Sequence, residues 1–299
     1  MLNSNVELEG FAQENRTYDR RENDDYQCGR RLHFALDVVK PRTAEQAMFV
    51  LHPFKRIFGD RLLSGFTRHD HDGYILNLPQ GARTKTNHSV RICALLRHFD
   101  FPEGELKRMA KARPKFIKKP PVSYTQAEIE KFMAAARDHS FEAYAYFLFL
   151  WKSGVRDQEA AHATIDDVRD GVLYITAKNG FTPKNSEERE IPLPDDVRRL
   201  IAQLDRKPGQ LLFPSRNGTV SQTWLRTAKR IAVRAGLDPA KVCLHKWRKT
   251  YVTRLLDKGV APKTVMDLAG HASLNTTLLY ASKSRTDQKK AAVLQAFAQ

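Results

Sequence analysis

The sequence predicts a mainly α-helical protein with a small antiparallel β-sheet, arranged as an N-terminal helical domain and a C-terminal mixed α/β domain. Three observations carry this. Apolar residues recur at helical spacing through most of the chain, first at Ala47, Val50, Leu51, Phe54 and Ile57. The stretch Arg113-Pro-Lys-Phe-Ile-Lys-Lys-Pro-Pro121 holds three prolines and cannot continue a helix, so it separates two bodies. Between Val172 and Leu193, short apolar segments alternate with turn residues, Asn179-Gly180 and Asn185-Ser186, as a sheet requires. A chain of 299 residues with 41% apolar content can bury two ordinary cores.

In order, residues 1–30 read as an acidic, loosely ordered tail, with seven acids against three bases in the first 25. Residues 31–110 form the helical domain. Its first helix follows Pro41-Arg-Thr43 and is punctuated by Gly59 and Gly65. Thr67 caps a second helix toward Leu78, and Thr84 or Thr86 caps a third carrying Ile92, Leu95, Leu96 and Phe99. His69-Asp-His-Asp72 reads as a helix start rich in caps, since no convergent set makes it a metal site. Residues 111–123 are the basic, proline-rich linker.

The second domain, 124–299, opens with the capping box Thr125-Gln-Ala-Glu128. Phe141 to Trp151 reads as a buried helix, too short to span a bilayer. After Gly154 a short helix bears Arg156 and Glu159. Strands are expected at Val172–Ala177, around Phe181–Lys184 and at Arg189–Leu193. Pro194-Asp-Asp starts a helix to Leu204, and Ser221 caps one with Trp224, Leu225 and Ile231. His245–Lys258 is a helix closed by Gly259, with Trp247, Tyr251 and Leu255 in its buried stripe. Pro262 starts the next, Tyr280 ends a short one, and a last helix runs from about Thr286 to Ala298.

The formal net charge is +16 and the pI about 9.8, which points to a polyanionic partner. Seven Lys or Arg and no acid lie between Lys107 and Lys119. Exposed bases expected on the helical domain are Arg68, Arg83, Lys85, Arg91 and Arg97. With Lys115, Lys118 and Lys119 of the linker, Arg68, Arg83, Lys85 and Arg91 are the candidate contacts to a nucleic-acid backbone. Cys28, Cys93 and Cys243 show no paired spacing, which fits a reducing cytoplasm and no zinc site. The N-terminus lacks the pattern of a signal peptide. No H-E-x-x-H, P-loop or dinucleotide fingerprint is present, so no metal, ATP or NAD cofactor is expected.

The chemistry-bearing residues are Arg156 in Gly154-Val-Arg-Asp-Gln-Glu159, the pair His245 and Arg248 three apart, His271 in Leu268-Ala-Gly-His271, and Tyr280. Singly, such residues usually make salt bridges, caps or core contacts. Jointly they suit phosphoryl transfer to a hydroxyl: arginine forks clamp phosphate oxygens, histidines donate or move protons, and tyrosine becomes covalently attached. In order and spacing the set resembles the tyrosine recombinase family of phage integrases and Xer- or Cre-type enzymes. The motifs cover the chain from about Tyr124 onward; the helical domain resembles the family's core-binding (SAM-like) domain in layout. Lys249 departs from the second histidine that many members carry after the arginine.

The resemblance implies site-specific cutting and rejoining of duplex DNA through a 3′-phosphotyrosyl bond, by a homotetramer on synapsed sites. It implies Tyr280 as nucleophile, Arg156, Arg248 and His271 on the phosphate, His245 orienting the site or accepting the tyrosine proton, and a hairpin lysine as general acid. Lys184, followed by Arg189-Glu-Ile-Pro-Leu193, is favoured for that role over Lys178. Glu159 is expected to buttress Arg156. Other readings are a non-catalytic DNA-binding regulator on the same fold and a type IB topoisomerase-like relaxase.

Overall fold

The computed structural model describes residues 41–281, apart from 60, 62–64, 99, 118–120, 179 and 184–187, together with residue 294. The chain divides into two compact units, Met1–Lys118 and Lys119–Gln299.

In the first unit, α1 (Pro41–Phe58) begins at a proline, which suits a first helical turn because the missing N–H has no partner there anyway. Its core face is Ala47, Leu51, Phe54 and Phe58, so the apolar stripe ends on Phe58 and leaves Ile57 exposed, contrary to the sequence expectation. Phe54, Phe58, Phe66 and Tyr74 pack with centroids 5.0 to 6.0 Å apart, mostly edge to face. The helix α2 (Arg68–Asn77) starts at Thr67 with a full capping box to Asp70.

The helix α3 (Ala82–His98) starts earlier than either proposed threonine cap. Thr86 lies inside it and donates from its hydroxyl to the carbonyls of Ala82 at 2.9 Å and Pro114 at 2.8 Å. A fourth helix, α4 (Glu103–Lys111), takes up the start of the basic run that begins at Lys107. Acids at Glu103 and Glu105 and bases at Arg108 and Lys111 match its dipole, and it buries Leu106 and Met109.

The second unit is built on α5 (Gln126–His139), with its Thr125–Glu128 capping box, and the buried α6 (Phe141–Ser153). Phe132, Phe147 and Trp247 fill the space between these helices and α10 (Leu244–Asp257). A short α7 (Asp157–His162) leads to a three-stranded antiparallel sheet in order β1 (Val168–Arg169), β2 (Val172–Ile175), β3 (Arg189–Pro192). Register pairs Leu173 with Ile191, both buried, and Ile175 with Arg189. The strand expected around Phe181 is reduced among the described residues to a single bridge between Lys178 and Phe181, and β1 adds a strand that the sequence pattern does not announce.

Then follow α8 (Asp195–Ala202), α9 (Trp224–Arg234), α11 (Pro262–Ala269) and α12 (Leu274–Ala281). Thr223 occupies the N-cap of α9; Ser221 instead accepts from the Thr223 backbone N–H at 3.4 Å and does not cap the helix. The helix expected over 286–298 lies outside the described residues, apart from Leu294. Among the described residues no helix is long and apolar enough to cross a membrane.

Candidate active site

The end of α11 organises the site. A helix leaves its last carbonyls without intrahelical donors, at the negative end of its dipole. Here three consecutive carbonyls each receive a different guanidinium. Arg189 Nε donates to Leu268 O at 3.0 Å, Arg248 Nη2 donates to Ala269 O, and Arg156 Nη2 donates to Gly270 O at 2.5 Å. Gly270 closes the helix at φ +59.

Each arginine arrives from a different element. Gly154 ends α6 in the left-handed region, and the chain then runs extended into Arg156, which is the N-cap of α7. Arg248 lies on α10, 1% exposed, and also donates from Nη1 to Gly154 O at 2.9 Å. Arg189 opens β3 on the inward face that Ile191 shares.

Glu159, 2% exposed, sits between two of these arginines. Its Oε1 accepts from Arg156 Nη1 at 2.6 Å and Arg189 Nη1 at 3.0 Å. Its Oε2 accepts from the Arg156 backbone N–H at 2.7 Å and Arg189 Nη2 at 2.6 Å. Burial alone would raise the Glu159 pKa; the bonds and charges of Arg189 and Arg156 override it and hold the group at about 2. Three guanidiniums against one carboxylate leave two net positive charges in this cluster. A guanidinium has five N–H donors. Arg156 and Arg248 each commit two to the bonds named, keeping others for an anion.

His271 and Tyr280 complete the set. The rings are nearly parallel, with centroids 5.9 Å apart, and His271 Nδ1 shares a 2.9 Å hydrogen bond with the Thr277 hydroxyl. Burial, then Arg248, Arg156, His245 and Arg189, push the His271 pKa down to about 4, so the imidazole is neutral at pH 7. Desolvation, then Arg248 and Lys249, likewise lowers the pKa of His245. The Tyr280 phenol is buried and raised by that burial, while Arg248 pulls it back down.

Arg156, His245, Arg248, His271 and Tyr280 are therefore brought to one electrostatically linked centre. Lys184 lies outside the described residues. The Lys178 ammonium is engaged by the Asp167 carboxylate, the His162 carbonyl at 3.1 Å and the Thr164 hydroxyl at 3.4 Å. Of the expected backbone contacts, Arg83 and Lys115 are exposed and Arg91 is half-buried. Arg68 pairs with Asp72 at 3.0 Å, and Lys85 donates to Leu76 O at 2.6 Å. Lys118 and Lys119 lie outside the described residues. In the His69–Asp72 segment, His71 is buried and hydrogen-bonded to Ser89 at 3.0 Å and Asp72 at 2.8 Å.

Sequence reasoning missed Arg189 as a site residue, using it only to mark the hairpin. The signal was an arginine on the same strand face as Ile191, since an inward charge demands a buried partner.

Residues 123–286 match the model of the Phage integrase family. Tyrosine recombinase XerA of Pyrococcus furiosus is 28% identical over 214 residues, covering 66% of this chain and 70% of that protein. Tyrosine recombinase XerD of Vibrio cholerae is 27% identical over 183 residues, covering 56% and 59%. Among solved structures, the Tn1549 transposon integrase in complex with a circular intermediate DNA has the same fold, with a TM-score of 0.75 at 18% identity over 90% of this chain and 99% of that one. A lambda integrase dimer bound to a COC' core site gives a TM-score of 0.67 at 18% identity, over 86% and 94%.

Proposed function

The chain belongs to the phage integrase family, and from that premise we propose that it is a site-specific tyrosine recombinase, cutting and rejoining duplex DNA through a 3′-phosphotyrosyl intermediate. The observation that carries this reading is the placement of the Tyr280 phenol against a neutral His271 and within the field of Arg248.

Burial keeps the phenol protonated until attack. Its oxygen then bonds to phosphorus, the bond from phosphorus to the 5′-oxygen breaks, and the 3′-phosphate stays on the enzyme. His245, held neutral, accepts the phenolic proton. Arg156 and Arg248, joined by an N–H of His271, stabilise charge growing on the non-bridging oxygens. Their fixed charge supplies what many phosphoryl-transfer enzymes draw from metal ions. The hairpin lysine, Lys184 in preference to Lys178, protonates the departing 5′-oxygen. Rejoining reverses the steps, and the phosphotyrosyl bond stores the energy.

The partner is duplex DNA at specific sites, with a homotetramer forming on two synapsed copies. Arg68, Arg83, Lys85, Arg91, Lys115, Lys118 and Lys119 contact its backbone, and the enzyme works in the cytoplasm beside the nucleoid. The +16 net charge supports a DNA partner.

Tyr280→Phe keeps the ring and removes the nucleophile. With nicked suicide duplexes made from the DNA flanking the gene, the parent protein gives a covalent band on denaturing gels and Tyr280→Phe gives none at equal DNA affinity. A covalent band from the variant would overturn the assignment of the nucleophile.

A further inference from the structure

We propose that Arg189 is a positioning residue of this centre, locking the Glu159 carboxylate to the Leu268–Gly270 turn so that Arg156, Arg248 and His271 meet the phosphate in fixed register. The inference rests on the recombinase reading and assigns Arg189 no contact with DNA.

Its geometry is that of an internal tie. The side chain is 7% exposed, against 18% for Arg156. Both arms of its fork end on the two oxygens of Glu159, and Nε is spent on Leu268 O. Such a bidentate pair fixes orientation as well as charge. The turn also rests on it: a Cβ at Gly270 would stand 3.1 Å from Arg189 Cδ and 3.1 Å from Nη1. Glu159 in turn holds both the backbone N–H and the guanidinium of Arg156. Arg189 therefore links β3, the start of α7 and the end of α11 through one guanidinium. Without it, Glu159 would answer to Arg156 alone, and the Leu268 carbonyl would lose its side-chain donor.

The same charge acts on His271. The groups facing that imidazole are Arg248 and His245 from α10, Arg156 from the start of α7, Arg189 from β3, and Thr277 and Tyr280 from the helix that follows it. Removing one of the cations relaxes the field that keeps His271 neutral. Loss of fold stability alone, with that charge kept, would leave the titration in place.

Arg189→Gln, Arg189→Lys and the charge-balanced pair Arg189→Gln with Glu159→Gln are compared in the full chain, with folding followed by circular dichroism. Duplex affinity, the single-turnover rate of adduct formation and the His271 titration by NMR are measured for each. Arg189→Gln is expected to bind duplex within about threefold of the parent, to form adduct at least tenfold more slowly, and to titrate His271 at higher pH. Arg189→Lys restores the charge without the fork, so the titration returns toward the parent value while the rate stays low. If Arg189→Gln does not fold, the charge-balanced pair carries the same expectation of slow adduct formation at near-parent affinity. A parental rate and titration in any folded variant lacking the arginine, or full recovery of rate by lysine, overturns the proposal. Absence of a Tyr280-dependent adduct in the parent protein would instead overturn the recombinase reading.

Discussion

The ring of Tyr251 lies so close over Gly154 that a Cβ there would stand 2.1 Å from Tyr251 Cδ1. Gly154 also holds φ +64 to close α6, and its carbonyl receives Arg248. Gly154→Ala must displace the ring or the turn. Backbone strain of this kind costs roughly 1–3 kcal/mol, and here it also shifts an acceptor of Arg248. Urea unfolding should show that loss, partly recovered when Tyr251→Leu is added; an unchanged midpoint would mean the turn yields freely.

Glu159→Gln removes the carboxylate that Arg156 and Arg189 share. Breaking one side of a buried ion pair costs about 3–5 kcal/mol. The pH dependence has a definite sign. Glu159 titrates at about 2 in the folded chain, below its ordinary 4.5. Its contribution is fully present above 4.5 and lost as pH falls toward 2. Denaturant unfolding of the parent should therefore weaken across that window more steeply than unfolding of Glu159→Gln. Parallel pH profiles would show that the carboxylate is not held in this way.

The two candidate lysines should separate kinetically. Lys184→Ala should slow cleavage sharply, and a bridging 5′-phosphorothiolate, whose leaving group needs no proton, should restore it. Lys178, tied to Asp167, should when replaced by alanine affect cleavage little. Phosphorothiolate rescue of Lys178→Ala instead would transfer the general acid to that residue.

Neutralising Lys115, Lys118 and Lys119 with glutamine should weaken binding to cognate and scrambled duplexes alike, since lysines on phosphates do not read bases. For every phosphate that the protein no longer neutralises, the slope of log K against log salt should flatten by about 0.9. A slope equal to the parent's would leave the run as a solvated tether.

How much of this was legible depended on whether a residue announces its partner. His245 and Arg248 share a helix face by spacing alone, and Thr67 and Thr125 carry their acidic capping partners three residues on, so local rules sufficed. Thr84 and Thr86 failed as caps because the helix starts earlier, at Ala82, and Thr86 is drawn to Pro114, 28 residues away. The helix α4 was hidden because its bases outweigh the two apolar residues it buries. Arg189 was hidden for a further reason. Its partners, Glu159 and Leu268, stand 30 residues before it and 79 after. No local pattern encodes a bond of that span.

The turn that ends α11 also couples three arginines to the helix that bears Tyr280. Three cations donate to one short piece of backbone, and that piece runs within four residues into the helix bearing Tyr280. A drift of α11 therefore acts on these guanidiniums and on the proposed nucleophile, Tyr280, together. Bending between Gly270 and Leu274 instead moves Tyr280 alone against the arginines, so this short joint sets the distance between them.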